Sequence, residues 1–229
     1  MDSTMKERPI LFNAAMVNAI LAGNKTQTRR VVKRQPPSGH QWQGWVLDST
    51  CSADVGSATW ARGDGPLMQD VIRAHCPLGK VGDRLWLREA FGEVYDWCDH
   101  PEMPGCPTER WHLDWKYRAD GEVNRQELDG AFTGWKPSIH MPRAASRITL
   151  EITAIRVERL KDISEQDARA EGCEASGWMP SYSNPDNAGC DESLSAADNF
   201  CDLWQSIYGP ESWGTNPWVW VIEFKRITP

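Results

Sequence analysis

The sequence predicts an α+β fold in which a small mixed or antiparallel β-barrel is flanked by helices. Three observations support this prediction: a long alternating segment at residues 147–157, a β-rich segment at residues 218–225, and short helical segments that begin at good N-cap residues. Sheet-forming stretches contribute more residues than helical ones, so a small barrel is the economical arrangement. At 229 residues, the chain fits one domain, residues 1–229, with insertions.

The first helix is predicted after a short strand at residues 10–12. Asn13 can cap it, apolar residues recur at a spacing of four between residues 16 and 21, and Gly23 supplies the left-handed residue that ends it. The functional groups that follow Gly23 are therefore attached to the end of a well-defined helix.

Two strands are predicted in the middle of the chain. Residues 84–89 follow the turn signal at Gly82, and leucines there alternate with Trp86 and Arg88. Residues 111–117 alternate aromatic or apolar residues with polar ones, which also favours a strand.

The clearest strand pattern begins at Arg147. Apolar residues alternate from Ile148 to Ile152 and continue in the opposite phase from Ile155, so the register slips by one near Ala154. We expect a bulge or sharp bend there, which would let one strand turn a barrel corner.

Two later helices are also predicted. Ser164 caps a short helix that Gly172 ends, and Ser195 caps a longer one with an apolar stripe from Phe200 that Gly209 ends. The remaining stretches, at about 35–80, 96–110 and 175–192, show no sustained period and are interpreted as long loop insertions.

Charge restricts the class of partner. A net charge of −7 argues against a protein that coats nucleic acid through many phosphate contacts. One region is nevertheless basic, and its cations are Lys25, Arg29, Arg30, Lys33 and Arg34. This pattern suits a compact anionic or polar ligand, or a single RNA loop, better than a long duplex.

Seven cysteines at irregular spacing fit a reducing compartment, and no stretch approaches eighteen apolar residues. We expect a cytoplasmic protein that makes no membrane contact. Zinc has candidate ligands at Cys98, His100, Cys106 and His112, but their spacing matches no common pattern, so we expect no metal and no cofactor. Thirteen tryptophans offer surfaces for base stacking, and those in irregular segments are Trp42, Trp45, Trp60 and Trp135.

Residues 23–30 place an amine, two hydroxyls and two guanidiniums directly after the first helix. Such a segment can be no more than a solvated helix end, where cations meet the last carbonyls. A functional role requires a partner acid elsewhere and a pocket.

This segment and the order of elements resemble the ASCH family of the PUA-like superfamily of small β-barrels. The matching pieces are residues 20–30, 82–91, 147–172 and 200–225, about half of the chain. The segment at residues 136–143 looks like that of the large ASCH proteins of phages and prophages, which implies a host cytoplasm.

Thr28 stands where the usual family motif has Glu, and this Lys-x-x-Thr-x-Arg form is similar to the small bacterial ASCH enzymes that deacylate N4-acetylcytidine. The resemblance implies a metal-independent amidohydrolase with Lys25, Thr28 and Glu171 as its catalytic set. Arg30 falls on the motif arginine.

Thr28 can serve as the nucleophile if Lys25 is neutral, which neighbouring Arg29 and Arg30 favour. Glu171 could then exchange the proton or orient Lys25. The alternative is that Thr28 only donates a hydrogen bond, with no covalent step. Further candidates for substrate binding, besides Arg29 and Arg30, are Thr26, Arg88, Glu89, Ser138, His140 and Arg143.

Each of these further candidates also has a structural interpretation. Arg88 and Glu89 can form a salt bridge at the barrel rim, and a lone His140 in a loop is often structural. At the level of function, the alternatives are a noncatalytic RNA- or nucleotide-binding module and a metal-independent ribonuclease. The expected partners are a modified pyrimidine nucleoside or nucleotide, or single-stranded RNA, and the oligomeric state stays open.

Overall fold

The computed structural model describes residues 5–63, 67–98, 109–124, 132–174 and 195–227. The strands are β1 (Glu7–Leu11), β2 (Gln27–Val31), β3 (Gln41–Trp45), β4 (Ala58–Arg62), β5 (Gln69–Ala74), β6 (Arg84–Arg88), β7 (Phe91–Cys98), β8 (Glu109–Tyr117), β9 (Thr149–Arg159) and β10 (Trp218–Ile227). The α-helices are α1 (Ala14–Leu21), α2 (Glu165–Ala170) and α3 (Ala196–Tyr208). The fold is α+β with mostly strands, and none of the helices in these ranges is long and apolar enough to cross a bilayer.

The main sheet has five strands in the order β1-β6-β9-β10-β2. β1 and β6 are parallel, and the other pairs are antiparallel, so the sheet is mixed. Its two outer strands, β1 and β2, approach each other at one point, where the Arg30 guanidinium donates to the Leu11 carbonyl at 2.9 Å. A side chain thus links the two edge strands of the sheet.

The predicted bulge in β9 is confirmed. Glu223 of β10 pairs with Ala154, and Phe224 pairs with Ile152, which leaves Thr153 as the extra residue. This accounts for the change of phase in the apolar pattern, because an inserted residue moves every later side chain to the other face.

The predicted helix caps are also confirmed. Asn13 and Ser164 accept hydrogen bonds from N–H groups in the first turns of α1 and α2, and Ser195 forms a capping box with Asp198. The short segment after Ser164 therefore has a fixed start, although it is too short to be a stable helix alone.

Residues 35–80 differ from the expectation of an irregular loop. They contain the antiparallel sheet β3-β4-β5. The alternation of apolar and polar residues that marks a strand is missing from β4, because its residues 58–61 are buried on both faces. Register shifts also interrupt the β3–β4 and β4–β5 pairs. Of the other two predicted insertions, residues 99–108 and 175–192 lie outside the described residues, and β7 and β8 occupy the ends of the first.

The main core lies on one face of the five-stranded sheet. Trp60 of β4 is fully buried there and contacts the rings of Trp218 and Trp220 from β10, at centroid distances of 5.9 and 6.5 Å. Trp42 and Trp45 pack onto the same group. The inserted sheet thus supplies part of the core, since large aromatic side chains contribute most of the buried area.

A second core lies on the other face of β10. Val219 and Val221 point to this side and pack against α2 and α3, where Phe200 and Trp204 are buried. The alternation of β10 therefore separates the two cores. Packing in the second core also brings α2 beside β2, and the candidate site lies where these two elements meet.

Asp83 links the starts of β1 and β6. Its carboxylate accepts from the Lys6 backbone N–H at 3.0 Å, the Lys80 backbone N–H at 3.2 Å and the Arg8 guanidinium at 2.9 Å. Burial acts to raise the pKa of Asp83, but these hydrogen bonds outweigh it and hold that pKa below its ordinary value.

We expect Asp83→Asn to lower the free energy of unfolding by about 1 to 3 kcal/mol at pH 7. Because the pKa of the folded state is depressed, the stabilisation is present above the unfolded pKa of about 4 and is lost as the pH falls through the folded value. Urea unfolding at pH 7 and pH 3 should show the difference between the two proteins shrinking in acid. The exposed Asp48→Asn serves as the control, and a pH-independent difference would contradict the assignment.

Candidate functional site

The position of Lys25 is set by the end of α1. Gly23 adopts φ +82°, and the backbone N–H groups of Asn24 and Lys25 both donate to the Ala19 carbonyl, at 2.9 and 3.0 Å. The chain then pairs with the end of α2 through a single bridge between Lys25 and Glu171. Two segments that are 146 residues apart are thus joined at this point.

Lys25 and Glu171 form a buried ion pair. The Lys25 Nζ donates to the Glu171 carboxylate at 2.7 Å and to the Glu171 backbone carbonyl at 2.8 Å, and the two side chains are 0% and 3% exposed. An ammonium has three donors, so one N–H of Lys25 has no hydrogen-bond partner among the described residues.

Arg29 is the second cation on Glu171. Its guanidinium is fully buried and lies 3.3 Å from both Glu171 and Asp167, and it also contacts Glu158. Arg29 therefore serves as an internal partner of three carboxylates and has no solvent-exposed surface with which to meet a ligand.

Arg156 extends this network toward the surface. It contacts Glu158 at 3.2 Å, Asp167 at 2.6 Å and also Glu223. Burial acts to raise the pKa of Asp167, but Arg156 and Arg29 hold it below its ordinary value, so this carboxylate stays charged at neutral pH.

Sequence reasoning missed this network. The only indication of the network in the sequence is that Arg156 and Glu158 are two residues apart on β9. This spacing puts two opposite charges on one face of a strand. Their partners on β2 and α2 are distant in sequence, and no local pattern indicates them.

Thr28 and Arg30 alternate with Arg29 along β2, so they face the other side of the sheet. Thr28 is 2% exposed and pairs with Ile222. The Phe12 ring lies near both flanking cations, 5.6 Å from the Lys25 Nζ and 5.4 Å from the Arg30 guanidinium. Phe12 is a further site residue that the sequence did not indicate.

Gly172 lets α2 approach Lys25 closely. It adopts φ +87°, and a Cβ added there would lie 3.0 Å from the Ala19 Cβ and 3.3 Å from the Lys25 Cβ. The predicted helix-ending glycine therefore also has a packing role, because any side chain would push Glu171 away from Lys25.

The environment next to Glu171 is poorly solvated. Burial raises the pKa of the neighbouring Cys173 thiol to about 11, although the charge of Lys25 acts in the opposite direction. Charged groups that are held in such a place interact more strongly than they would in water.

Arg88 and Glu89 do not pair with each other. The Arg88 side chain donates to the Met141 carbonyl at 3.0 Å, whereas the buried Glu89 pairs with Arg147 at 3.0 Å, and Arg147 also holds Asp120 at 2.8 Å. Burial raises the pKa of Glu89 despite Arg147. This is a separate charged cluster, and no hydrogen bond or ion pair among the described residues joins it to Lys25.

The other predicted ligand residues lie apart from the Lys25–Glu171 pair. Ser138 and His140 are in one short 3-10 turn, and His140 is exposed. Arg143 contacts Glu7 at 3.2 Å. Thr26 is exposed, and its N–H donates to the Ala170 carbonyl at 2.8 Å, so it borders the pair.

Two further hypotheses from the sequence concern the tryptophans and zinc. Trp60 is buried, Trp42 and Trp45 are partly buried against it, and Trp135 lies under the Arg118 guanidinium. Of the four zinc candidates, His100 and Cys106 lie outside the described residues, and the side chain of Cys98 is likewise outside them. The His112 ring stacks on Trp115 at 4.0 Å.

The site is thus a buried lysine–carboxylate pair. Thr28 lies three residues beyond Lys25 on β2, and no hydrogen bond among the described residues joins its hydroxyl to Lys25 or Glu171. Comparisons of the chain with protein-family models, curated proteins and solved structures find no match.

We expect Glu171→Leu to cost about 3 to 5 kcal/mol of stability, because it leaves Lys25 buried without a carboxylate. Lys25→Met should cost less, because Arg29 still neutralises Glu171. Urea unfolding monitored by tryptophan fluorescence measures both values. The exposed Lys161→Met is the control and should change stability by less than about 0.5 kcal/mol. Equal costs for the two buried variants would show that Arg29 does not support Glu171.

The thiol of Cys173 should resist alkylation. A pKa of about 11 leaves about one thiolate in a thousand at pH 8, whereas Cys51 is exposed. Iodoacetamide labelling followed by peptide mass spectrometry should therefore modify Cys51 long before Cys173. In urea the two should react at similar rates, and rapid labelling of native Cys173 would show that the site is open to water.

Proposed function

We propose that the chain is a metal-independent amidohydrolase that removes the acyl group from an N4-acylated cytidine or a related modified pyrimidine nucleoside or nucleotide. The observation that carries the proposal is the buried Lys25–Glu171 pair, at 2.7 Å. Thr28, the third member of the set, follows three residues after Lys25 on β2 and is 2% exposed. These three residues are the ones that the ASCH resemblance selects as catalytic.

The same proposal includes the fold family. The five-stranded mixed sheet is interpreted as a PUA-like barrel whose seam lies between β1 and β2. The hydrogen bond from Arg30 to the Leu11 carbonyl supports this interpretation, since it links the two edges without backbone pairing. Phe12 and Phe224 pack at 6.2 Å near the same seam.

The pair offers a route to a neutral lysine. A proton that moves from the Lys25 Nζ to the Glu171 carboxylate along the 2.7 Å hydrogen bond leaves an amine and a carboxylic acid. The Arg29 guanidinium also contacts the Glu171 carboxylate, at 3.3 Å.

The neutral Lys25 amine then takes the proton of the Thr28 hydroxyl as the Thr28 oxygen bonds to the acyl carbon. The tetrahedral intermediate collapses, the bond from the acyl carbon to the cytosine nitrogen breaks, and Lys25 returns the proton to that nitrogen. Water then attacks the acyl-threonine ester, which releases the carboxylic acid and restores the hydroxyl.

Arg30 is suited to stabilise the oxyanion. It lies two residues beyond Thr28 on the same face of β2, and it is half-buried, so its charge is only partly screened. Arg29 faces the opposite side of the sheet, which leaves Arg30 as the β2 cation that can face the acyl group.

A noncatalytic RNA-binding role receives less support from the geometry. Lys25 and Arg29 are buried and paired, so the basic segment presents mainly Lys33 and Arg34 to solvent. Two exposed cations provide little of the phosphate contact on which such binding depends.

Hydrolysis of N4-acetylcytidine tests the proposal. The protein should release cytidine, measured by liquid chromatography. Thr28→Val, which keeps the side-chain shape, should reduce the rate to the background level, and Lys25→Met should reduce it by about 10²- to 10⁴-fold. Mass spectrometry of a rapidly quenched reaction should detect the acylated Thr28 peptide.

Thr215→Val is a matched control, since it removes an exposed hydroxyl that bonds only to the Ser212 carbonyl. It should leave the rate unchanged, and circular dichroism should confirm that every variant is folded. Cytidine release no faster than that of Thr28→Val, across a panel of N4-acylated cytosines, would refute the proposed function. Release without an acylated peptide and with partial activity in Thr28→Val would instead favour hydrogen bonding by Thr28.

A further inference from the structure

A cavity of about 660 Å³ is lined by residues of both the main sheet and the inserted sheet. Its volume is within the range typical of sites for small molecules, which is roughly 300 to 1,000 Å³. Lys25, Thr28 and Glu171 are not among its lining residues. The proposed amidohydrolase chemistry therefore leaves this cavity without a role.

Arg8 is the cation of this cavity whose position is fixed by a buried partner. Its Nη1 donates to the Asp83 carboxylate at 2.9 Å. Asp83 in turn accepts from the backbone N–H groups of Lys6 and Lys80, at 3.0 and 3.2 Å. The turn at Gly79 lies directly against this pair, since a Cβ there would be 2.5 Å from the Asp83 carboxylate and 2.6 Å from the Arg8 Nη1. The guanidinium is therefore oriented by Asp83 before any ligand arrives.

One edge of the Arg8 guanidinium is available to a ligand. A guanidinium has five N–H donors, and the Nε and Nη2 groups of Arg8 have no hydrogen-bond partner among the described residues. The Arg8 side chain is 32% exposed, so a small molecule can reach it. Nε and Nη2 lie side by side and present two parallel N–H bonds to an acceptor.

This edge matches a carboxylate better than a phosphate. A carboxylate has two coplanar oxygens, one for each N–H of the edge, whereas a phosphate has a third terminal oxygen that needs a further donor. Burial raises the pKa of the Cys76 thiol, which also lines the cavity, so this group is neutral at pH 7 and does not repel an anion.

An aromatic side chain lines the same cavity. The Trp45 indole is partly exposed and packs against Trp42 and Trp220, at ring distances of 5.8 and 6.0 Å. Val55 and Val81 also line the cavity, and they are 43% and 59% exposed. A supported indole beside exposed valines offers a surface for a flat ring, since the ring gains both from aromatic contact and from burial of apolar area.

We propose that this cavity binds a small aromatic carboxylate, with the carboxylate on the Nε–Nη2 edge of Arg8 and the ring against Trp45. Each sheet contributes one half of the site, since β1 of the main sheet carries Arg8 and β3 of the inserted sheet carries Trp45.

Isothermal titration with naphthalene-2-carboxylate tests this inference. Three related probes each change one feature: naphthalene-2-methanol lacks the charge, cyclohexanecarboxylate lacks the aromatic ring, and 2-naphthyl phosphate replaces the planar acid. The carboxylate should bind about tenfold more tightly than the first two probes, because only it uses both Arg8 and Trp45. It should also bind more tightly than the phosphate.

Three variants locate the binding. Arg8→Lys keeps a positive charge beside Asp83 but loses the planar edge, so it should weaken binding by about tenfold. Trp45→Leu should weaken binding by a similar factor, and Trp45→Phe should restore much of the affinity because it restores an aromatic face. Arg34→Lys is the matched control, since Arg34 is exposed and does not line the cavity. Urea unfolding should confirm that every variant is folded.

Absence of binding at millimolar naphthalene-2-carboxylate would overturn the inference. Equal or tighter binding of any of the three related probes would overturn it as well, since the planar acid or the ring would then not be recognised. Unchanged affinity in both Arg8→Lys and Trp45→Leu would show that the ligand binds elsewhere and would also overturn it. None of these outcomes depends on the proposed function, because no probe contains an acylated cytosine.

Discussion

The buried contact between Lys25 and Glu171 is the interaction on which the rest of the site depends. It joins the end of α1, the start of β2 and the end of α2 at one point, where both the side chains and the backbones pair. Removal of two charges from water is costly, so this contact persists only because Arg29 and the Glu171 carbonyl complete it. Removal of Glu171 would therefore leave the Lys25 ammonium buried without its carboxylate.

The network of Arg29 and Arg156 controls how charge is shared across this point. Together with Lys25 these arginines supply three cations, and Glu158, Asp167, Glu171 and Glu223 supply four carboxylates. The excess carboxylate lies at the Arg156 end, which is nearer to solvent, so the buried end is close to neutral. The buried cations Lys25 and Arg29 thus each have carboxylate partners.

Features that depend on local chemistry were predictable from the sequence. The N-caps at Asn13, Ser164 and Ser195 and the bulge at Thr153 each leave a mark within a few residues, and all were found. The inserted sheet was missed because β4 is buried on both faces and so lacks alternation. The partners of Arg29 and Glu89 were missed for another reason, since Glu158 and Arg147 lie on distant segments and pairing across a fold leaves no local pattern.

The inserted sheet has a consequence for function as well as for the core. Trp60 of β4 is buried in the core on one face of the main sheet. Trp45, on the adjacent strand β3, lines a cavity at the surface of the protein. The inserted sheet is an integral part of the core, because loss of Trp60 would remove a large part of the packing that supports Trp218 and Trp220. The strand that carries Trp45 is therefore held to the core beneath it, where Trp45 packs against Trp42 and Trp220.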